Sequence, residues 1–176
     1  MRLPKENLKI AIYGGSGTGK TTVALELAKL LSTNVTIRHC GELIKRKSKA
    51  IGLRSPSCLS IQDHKTIDEE TRQFALNTPG VIILEGRYLN FVLDGIEEIF
   101  FVQLVCSSEQ RTARLARAGR NLGCNHIEDL DKEDFQLIMN LYGDVKPDIK
   151  HLIKVDRTLL SAVDAAKEVL KAMSIA

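Results

Sequence analysis

Tryptophan is absent from the 176 residues, and aromatic side chains make up only 5% of them. A protein that grips single-stranded nucleic acid by stacking bases on aromatic rings needs more than that. Cysteine is sparse as well: Cys40, Cys58, Cys106 and Cys124 are widely spread, with no C-x-x-C pair. That spacing reads as the reduced thiols of a cytosolic chain rather than a disulfide framework. Cys124 and His126 have no second ligand pair nearby, which argues against zinc. Apolar runs such as Val81–Leu84 and Ile99–Val102 are far too short to span a bilayer. The opening MRLPKENLKI lacks the apolar core of a secretory signal, so a cytoplasmic location is expected. Neither sign of charge dominates, since 25 Lys+Arg against 22 Asp+Glu leave +3. That excess requires no nucleic-acid partner. Neither nucleic acid nor membrane is an expected partner, and the chain is expected to be a monomer.

What is present is an ordinary globular composition, 44% hydrophobic and 27% charged, in a length suited to one domain over residues 1–176. Strand-like segments alternate with helix-like ones. LKIAIY (8–13), NVTIR (34–38), VIIL (81–84), EEIFFVQLVC (97–106) and HLIKV (151–155) read as strands. Helices are expected over 20–31, 41–49, 63–76, 108–118, 131–142 and 159–173, and loops over 50–60 and 119–129. Continuous apolar runs such as VIIL suit strands buried on both faces. The alternation predicts an α/β fold: a three-layer α/β/α sandwich around a five-stranded parallel sheet.

Residues 14–21, GGSGTGKT, fit G-x-x-x-x-G-K-[ST] in full and lie between a strand and a helix, the context that gives this motif its meaning. Glycines let backbone N–H groups surround phosphate oxygens, and the helix N-terminus adds positive potential. Gly15, Ser16, Gly17, Thr18, Gly19, Lys20, Thr21 and Thr22 are therefore the candidate ATP-binding residues. Lys20 is placed to reach the β- and γ-phosphates, and the Thr21 hydroxyl to ligate Mg²⁺. The Asn/Thr-Lys-x-Asp motif of a GTPase is missing; Lys154-Val155-Asp156 is at best a remnant.

Glu85-Gly86-Arg87 follows the VIIL strand, and open parallel sheets bind ligands at the carboxyl ends of their strands. Glu85 is a candidate for a magnesium-bound water, and Arg87, with its permanent charge and planar fork, for a phosphate clamp. Arg111, Arg114, Arg117 and Arg120 recur every third residue. Steps of three drift round a helix by about 60° each, so the four cannot share one ligand on a continuous helix. A solvated face paired to Glu109 or Glu128 explains some of them. Arg117 and Arg120, nearest the helix end, are the candidates for a lid closing over the transferred phosphoryl group. Cys40 has two readings: a thiol acidified by the helix that follows it, or a buried small hydrophobe.

Together these segments resemble the nucleoside monophosphate kinases, in particular the short, archaeal-type cytidylate kinases. Cys40-Gly41-Glu42-Leu43-Ile44-Lys45 is similar to the family's T/A-G-E/D-x-x-R, and Glu85-Gly86-Arg87 to its E/D-G-R. Ser108–Leu115 resembles its P-x-x-x-R-x-x-R helix, and Leu141–Asp144 and Val155–Thr158 resemble its C-terminal segments. The resemblance implies ATP and Mg²⁺ as cofactors. It implies Lys20, Arg87, Arg117 and Arg120 as catalytic residues, and Thr21 and Glu85 at the metal. Lys45, Asp68, Glu85, Arg87 and Arg114 become the acceptor contacts, on a monophosphate-binding insertion over about 39–78 with a lid over about 115–130. CMP or dCMP is the implied acceptor. The departures fall on that side: Lys45 stands in place of Arg, and Glu69 and Glu70 replace an arginine pair, with Arg72 nearby. Kinases of other small acceptors (a sugar acid, shikimate, dephospho-coenzyme A) and a nucleotide-binding regulatory module with slow ATPase activity remain alternatives.

Overall fold

The computed structural model describes residues 7–31, 34–53, 58–120 and 126–174. Five strands, β1 (Lys9–Tyr13), β2 (Val35–His39), β3 (Val81–Gly86), β4 (Ile99–Val105) and β5 (Leu152–Asp156), form one sheet in the order β2-β3-β1-β4-β5. Every pairing is parallel, so each connection must cross a face of the sheet. Among the described residues six helices lie in the connections, α1 (Lys20–Leu31), α2 (Cys40–Ala50), α3 (Ile61–Asn77), α4 (Leu89–Val92), α5 (Ser108–Arg117) and α6 (Ile127–Tyr142), and α7 (Ala162–Met173) follows the last strand. The expected three-layer α/β/α sandwich is the observed fold.

All residues of the central strands β1 and β3 are buried. Alternate side chains feed two separate cores, as the two-residue period of a strand requires. On one face Ile10, Ile12 and Ile83 pack with Val23 and Leu27 of α1 and with Ala165, Val169 and Met173 of α7. On the other, Ala11, Tyr13, Ile82 and Leu84 pack with Leu89 and Val92 of α4, Ala75 of α3, and Leu137, Ile138 and Leu141 of α6. Because β1 and β3 are neighbours in register, with Tyr13 opposite Gly86, the loops leaving them emerge side by side.

Helix starts follow local chemistry. Ser60 and Asp63 form a capping box on α3, and Ser107 and Ser161 cap α5 and α7. α7 begins at Ala162 rather than 159, after its Ser161 cap, and two further helices differ from expectation. α6 begins at Ile127 rather than Asp131, because the Asp129 carboxylate accepts from the His126 backbone N–H at 3.0 Å and closes the first turn. α4 is a single turn whose four residues are too few to show periodicity. Among the described residues no helix is long and apolar enough to cross a membrane.

Ile83 is fully buried in the central strand, one residue pair before Glu85. Ile83→Ala is expected to cost roughly 2–5 kcal/mol of unfolding free energy. Urea denaturation checks this, with an unchanged dependence on denaturant if the native fold survives.

Candidate active site

The loop from β1 into α1 is held from outside. Thr18 Oγ1 donates to the Gly15 carbonyl at 2.9 Å. From α5, the buried Arg111 donates through Nε to the Ser16 carbonyl at 2.7 Å, and two further N–H groups grip Asp131 of α6 at 2.7 and 2.5 Å. Gly17 sits at φ +79°, and a Cβ there would lie 2.7 Å from the Arg111 carbonyl oxygen. Only glycine tolerates both the left-handed backbone and that approach.

Lys20 opens α1, and its Nζ donates to the carbonyls of Gly14 at 2.7 Å and Gly15 at 2.9 Å. Burial pulls its ammonium down to about 8, while the Glu85 carboxylate works in the opposite direction. The next residue, Thr21, donates to Glu85 Oε1 at 3.2 Å across the gap between α1 and β3. Glu85 Oε1 also lies 3.1 Å from His39 Nδ1 at the end of β2. Arg87 pairs with Asp134 of α6. Burial pushes the Asp134 carboxyl up from its ordinary value, and the Arg87 charge opposes that shift. Asp131 and Asp134 are three apart on one helix, so α6 holds both the P-loop brace and Arg87.

A cavity of about 680 Å³ runs from Ser16–Thr22 past Lys20, Glu85 and Arg87 to a wall built by α2, α3 and α4. Cys40, Gly41, Glu42, Ile44, Lys45, Ile67, Asp68, Thr71, Tyr88 and Val92 form that far wall. Asp68 accepts from Tyr142 Oη at 2.7 Å. Burial nevertheless pushes its carboxyl up to about 6. Tyr88 and Tyr142 meet edge to face with ring centroids 6.3 Å apart, and Tyr88 Oη lies 3.4 Å from His64 Nδ1.

Several expectations change at this point. Cys40 is buried and its thiol is pushed up to about 12 by that burial, so the acidic-thiol reading fails and the small-hydrophobe reading holds. Cys40, Cys58 and Cys106 are unpaired thiols; Cys124 lies outside the described residues. Arg111 is not on a solvated face but buried against Asp131. Arg114, expected among the acceptor contacts, lines the cavity and donates to the carbonyls of Arg157 at 2.6 Å and Thr18 at 3.5 Å. Arg117 and Arg120 are exposed at the cavity rim, and residues 121–125 of the expected lid lie outside the described residues. Lys45 lines the wall while paired to Glu42 at 2.7 Å. Arg72 is tied to the carbonyls of Val92 and Asp94.

Residue reasoning did not single out Asp131, Asp134, Tyr142, Tyr88 or His39 as site residues. Tyr142 lies in a segment that carries the family resemblance but was given no role there; the spacing of the other four carries no motif, and only the sheet order and helix packing bring them to the cavity. The stability consequence of Asp68 has a definite sign. Its folded value of about 6 exceeds the ordinary 3.8 of an aspartate, so the native state holds the proton more tightly. Stability is therefore expected to fall as pH rises from about 4 to about 6. Asp68→Asn, which keeps an acceptor for Tyr142, is expected to flatten that decline in urea denaturation across the same pH range.

The chain is similar to several known kinases. A cytidylate kinase of Pyrobaculum arsenaticum is 28% identical over 173 residues, covering 90% of this chain and 88% of that protein. A gluconokinase structure from Sinorhizobium meliloti superposes with a TM-score of 0.66 at 14% identity, covering 96% of this chain and 92% of that one. A shikimate kinase from Acinetobacter baumannii in complex with shikimate gives a TM-score of 0.61 at 19% identity, covering 96% and 94%. These superpositions place the fold among the P-loop kinases. A family model described as an AAA domain, AAA_18, matches residues 10–136. With its motif, its sheet order and a match over well more than half its length, the chain belongs to the AAA_18 family of AAA-domain proteins.

Proposed function

We propose that this protein is an ATP- and Mg²⁺-dependent kinase that transfers the γ-phosphoryl group to a nucleoside monophosphate, CMP or dCMP. The observation that carries the reading is the single cavity joining the P-loop to the Asp68 wall, with Lys20, Glu85 and Arg87 between them. Two ligands meeting end to end in such a cavity need no covalent enzyme intermediate. Alignment and charge neutralisation are the main tasks of phosphoryl transfer.

Gly15–Thr22 would hold the triphosphate, with Lys20 leaving its carbonyl partners for the β- and γ-oxygens. A polyanion restores the ammonium charge that burial disfavours. Thr21 and Glu85 would hold Mg²⁺: a hydroxyl and a carboxylate 3.2 Å apart offer hard oxygen ligands, and this ion takes its remaining ligands from phosphates and water. When bound, it neutralises charge developing on the bridging oxygens. Arg87 would clamp the acceptor phosphate, and Arg117 and Arg120, at the rim, would close over the transferred group and exclude water. Residues 39–78 would then form the acceptor-binding arm, and 115–130 the lid. Lys45 and Asp68 face the acceptor. Asp68 accepts hydrogen bonds and repels phosphate, so it would read the base or sugar rather than the anion. The similarity to a cytidylate kinase supports the cytidine nucleotide.

A second reading, a small hydroxylated acid as acceptor, is favoured by the acceptor side itself. Lys45 is paired to Glu42 and Arg87 to Asp134, leaving the wall poor in uncommitted cations. The gluconokinase and shikimate kinase that share the fold act, by their names, on acceptors of this kind. The test is ADP release from Mg-ATP with CMP, dCMP, UMP, AMP, GMP, gluconate and shikimate, beside a Lys20→Ala control. Stimulation by CMP or dCMP, lost in the control by roughly a hundredfold or more, is the expected outcome. Stimulation by a hydroxy acid alone would move the assignment to the second reading. Tight ATP binding with no stimulation by any acceptor would make the protein a nucleotide-binding regulator.

A further inference from the structure

Arg157, the residue after β5, carries a guanidinium that the fold itself does not use up. It is buried, 7% exposed, yet its Nη1 has no hydrogen-bond partner among the described residues. A buried donor normally finds an acceptor, because burial without one forfeits the water it had. Burial and the neighbouring Arg114 charge both act against the Arg157 cation. Two cations packed together without a carboxylate between them make sense where an anion is to arrive.

The backbone of Arg157 is pinned. Its N–H donates to the Val105 carbonyl at 2.7 Å, and its own carbonyl accepts from Arg114 at 2.6 Å. Within the side chain, Nε donates to the Leu160 carbonyl at 3.2 Å, which fixes the plane of the fork. Nη1 is thereby delivered to the P-loop: it lies 2.7 Å from where a Cβ on Gly19 would stand, and Thr22 Oγ1 is 3.8 Å from that same point. Gly19 has φ +87° and leaves the approach open. Arg157 also lines the cavity.

Lys20 reaches back to Gly14 and Gly15, beside Glu85 and Arg87, which marks the end of the loop for the β- and γ-phosphates. Arg157 stands at Gly19 and Thr22, the opposite end. We propose that Arg157 is a donor-binding residue whose free N–H contacts the α-phosphate end of the nucleotide polyphosphate. This rests on the reading of the cavity as a nucleoside triphosphate site. Arg157 falls in the Val155–Thr158 segment that carries part of the family resemblance, but that resemblance assigned the residue no role.

The test is calorimetric titration of the unaltered protein, Arg157→Met and Arg157→Lys with Mg-ATP, Mg-ADP and inorganic tripolyphosphate, beside thermal melts without ligand. Arg157→Met is expected to weaken all three by about ten- to a hundredfold, the value of a hydrogen bond to a charged group. Its melting temperature without ligand should be unchanged or higher, since an unpartnered buried donor has been removed. Arg157→Lys keeps the charge without the planar fork and should fall between the other two. Affinities equal to the unaltered protein in both variants would overturn the proposal, as would a lowered melting temperature with unchanged affinity. Weakened ATP and ADP with unchanged tripolyphosphate would place the contact on the nucleoside and overturn the phosphate assignment. If Arg157→Met fails to fold, Arg157→Lys decides alone, and a Kd equal to the parent's overturns the proposal. Absence of Mg-ATP binding by the unaltered protein would instead remove the nucleotide reading itself.

Discussion

The contact between Arg111 and the loop that follows β1 is the constraint on which the site depends. A glycine-rich loop has high conformational entropy and little intrinsic reason to keep one shape. Here the Nε hydrogen bond to Ser16, the carbonyl against Gly17 and the bidentate grip on Asp131 tie the loop to α5 and α6 at once. A charge-assisted, two-pronged bond is well suited to this, being stronger and more directional than neutral pairs. These contacts hold the loop's shape from within the fold, which lessens the ordering left for a ligand to impose.

α6 extends the same logic across the cavity. Asp131 holds the arginine that shapes the P-loop, and Asp134, one turn further, holds Arg87 beside Glu85. At the far end of the same helix Tyr142 donates to Asp68 on the far wall of the cavity. One helix thus touches Arg111 beside the glycine loop, Arg87, and Asp68 on the far wall of the cavity.

The fold was legible because each strand is a short apolar run and each crossover a helical period, and parallel β-α alternation admits few architectures. The P-loop was legible because its chemistry is local: eight consecutive residues carry the glycines, the lysine and the hydroxyl. Glu85 and Arg87 were within reach through the rule that places ligands at strand carboxyl ends. The rest was not, for physical reasons visible in particular residues. Asp131 and Asp134 read as ordinary acids of an amphipathic helix until α6 packs beside α5. Cys40 sits at a helix start, which argues for an acidic thiol, but its desolvation outweighs the helix dipole and drives it to about 12. Arg114 lies on a helix with a basic stripe, and nothing local says that its partners are the carbonyls of Thr18 and Arg157.

The central claim is that donor and acceptor subsites lie end to end in one cavity, separated by Lys20, Glu85 and Arg87. Calorimetry with a bisubstrate, adenosine and cytidine joined through five phosphates, tests it directly. The account expects one molecule bound per chain, far more tightly than ATP or CMP alone, and displaced by either. An affinity no better than that of ATP, or a CMP site still open once the bisubstrate is bound, would contradict it.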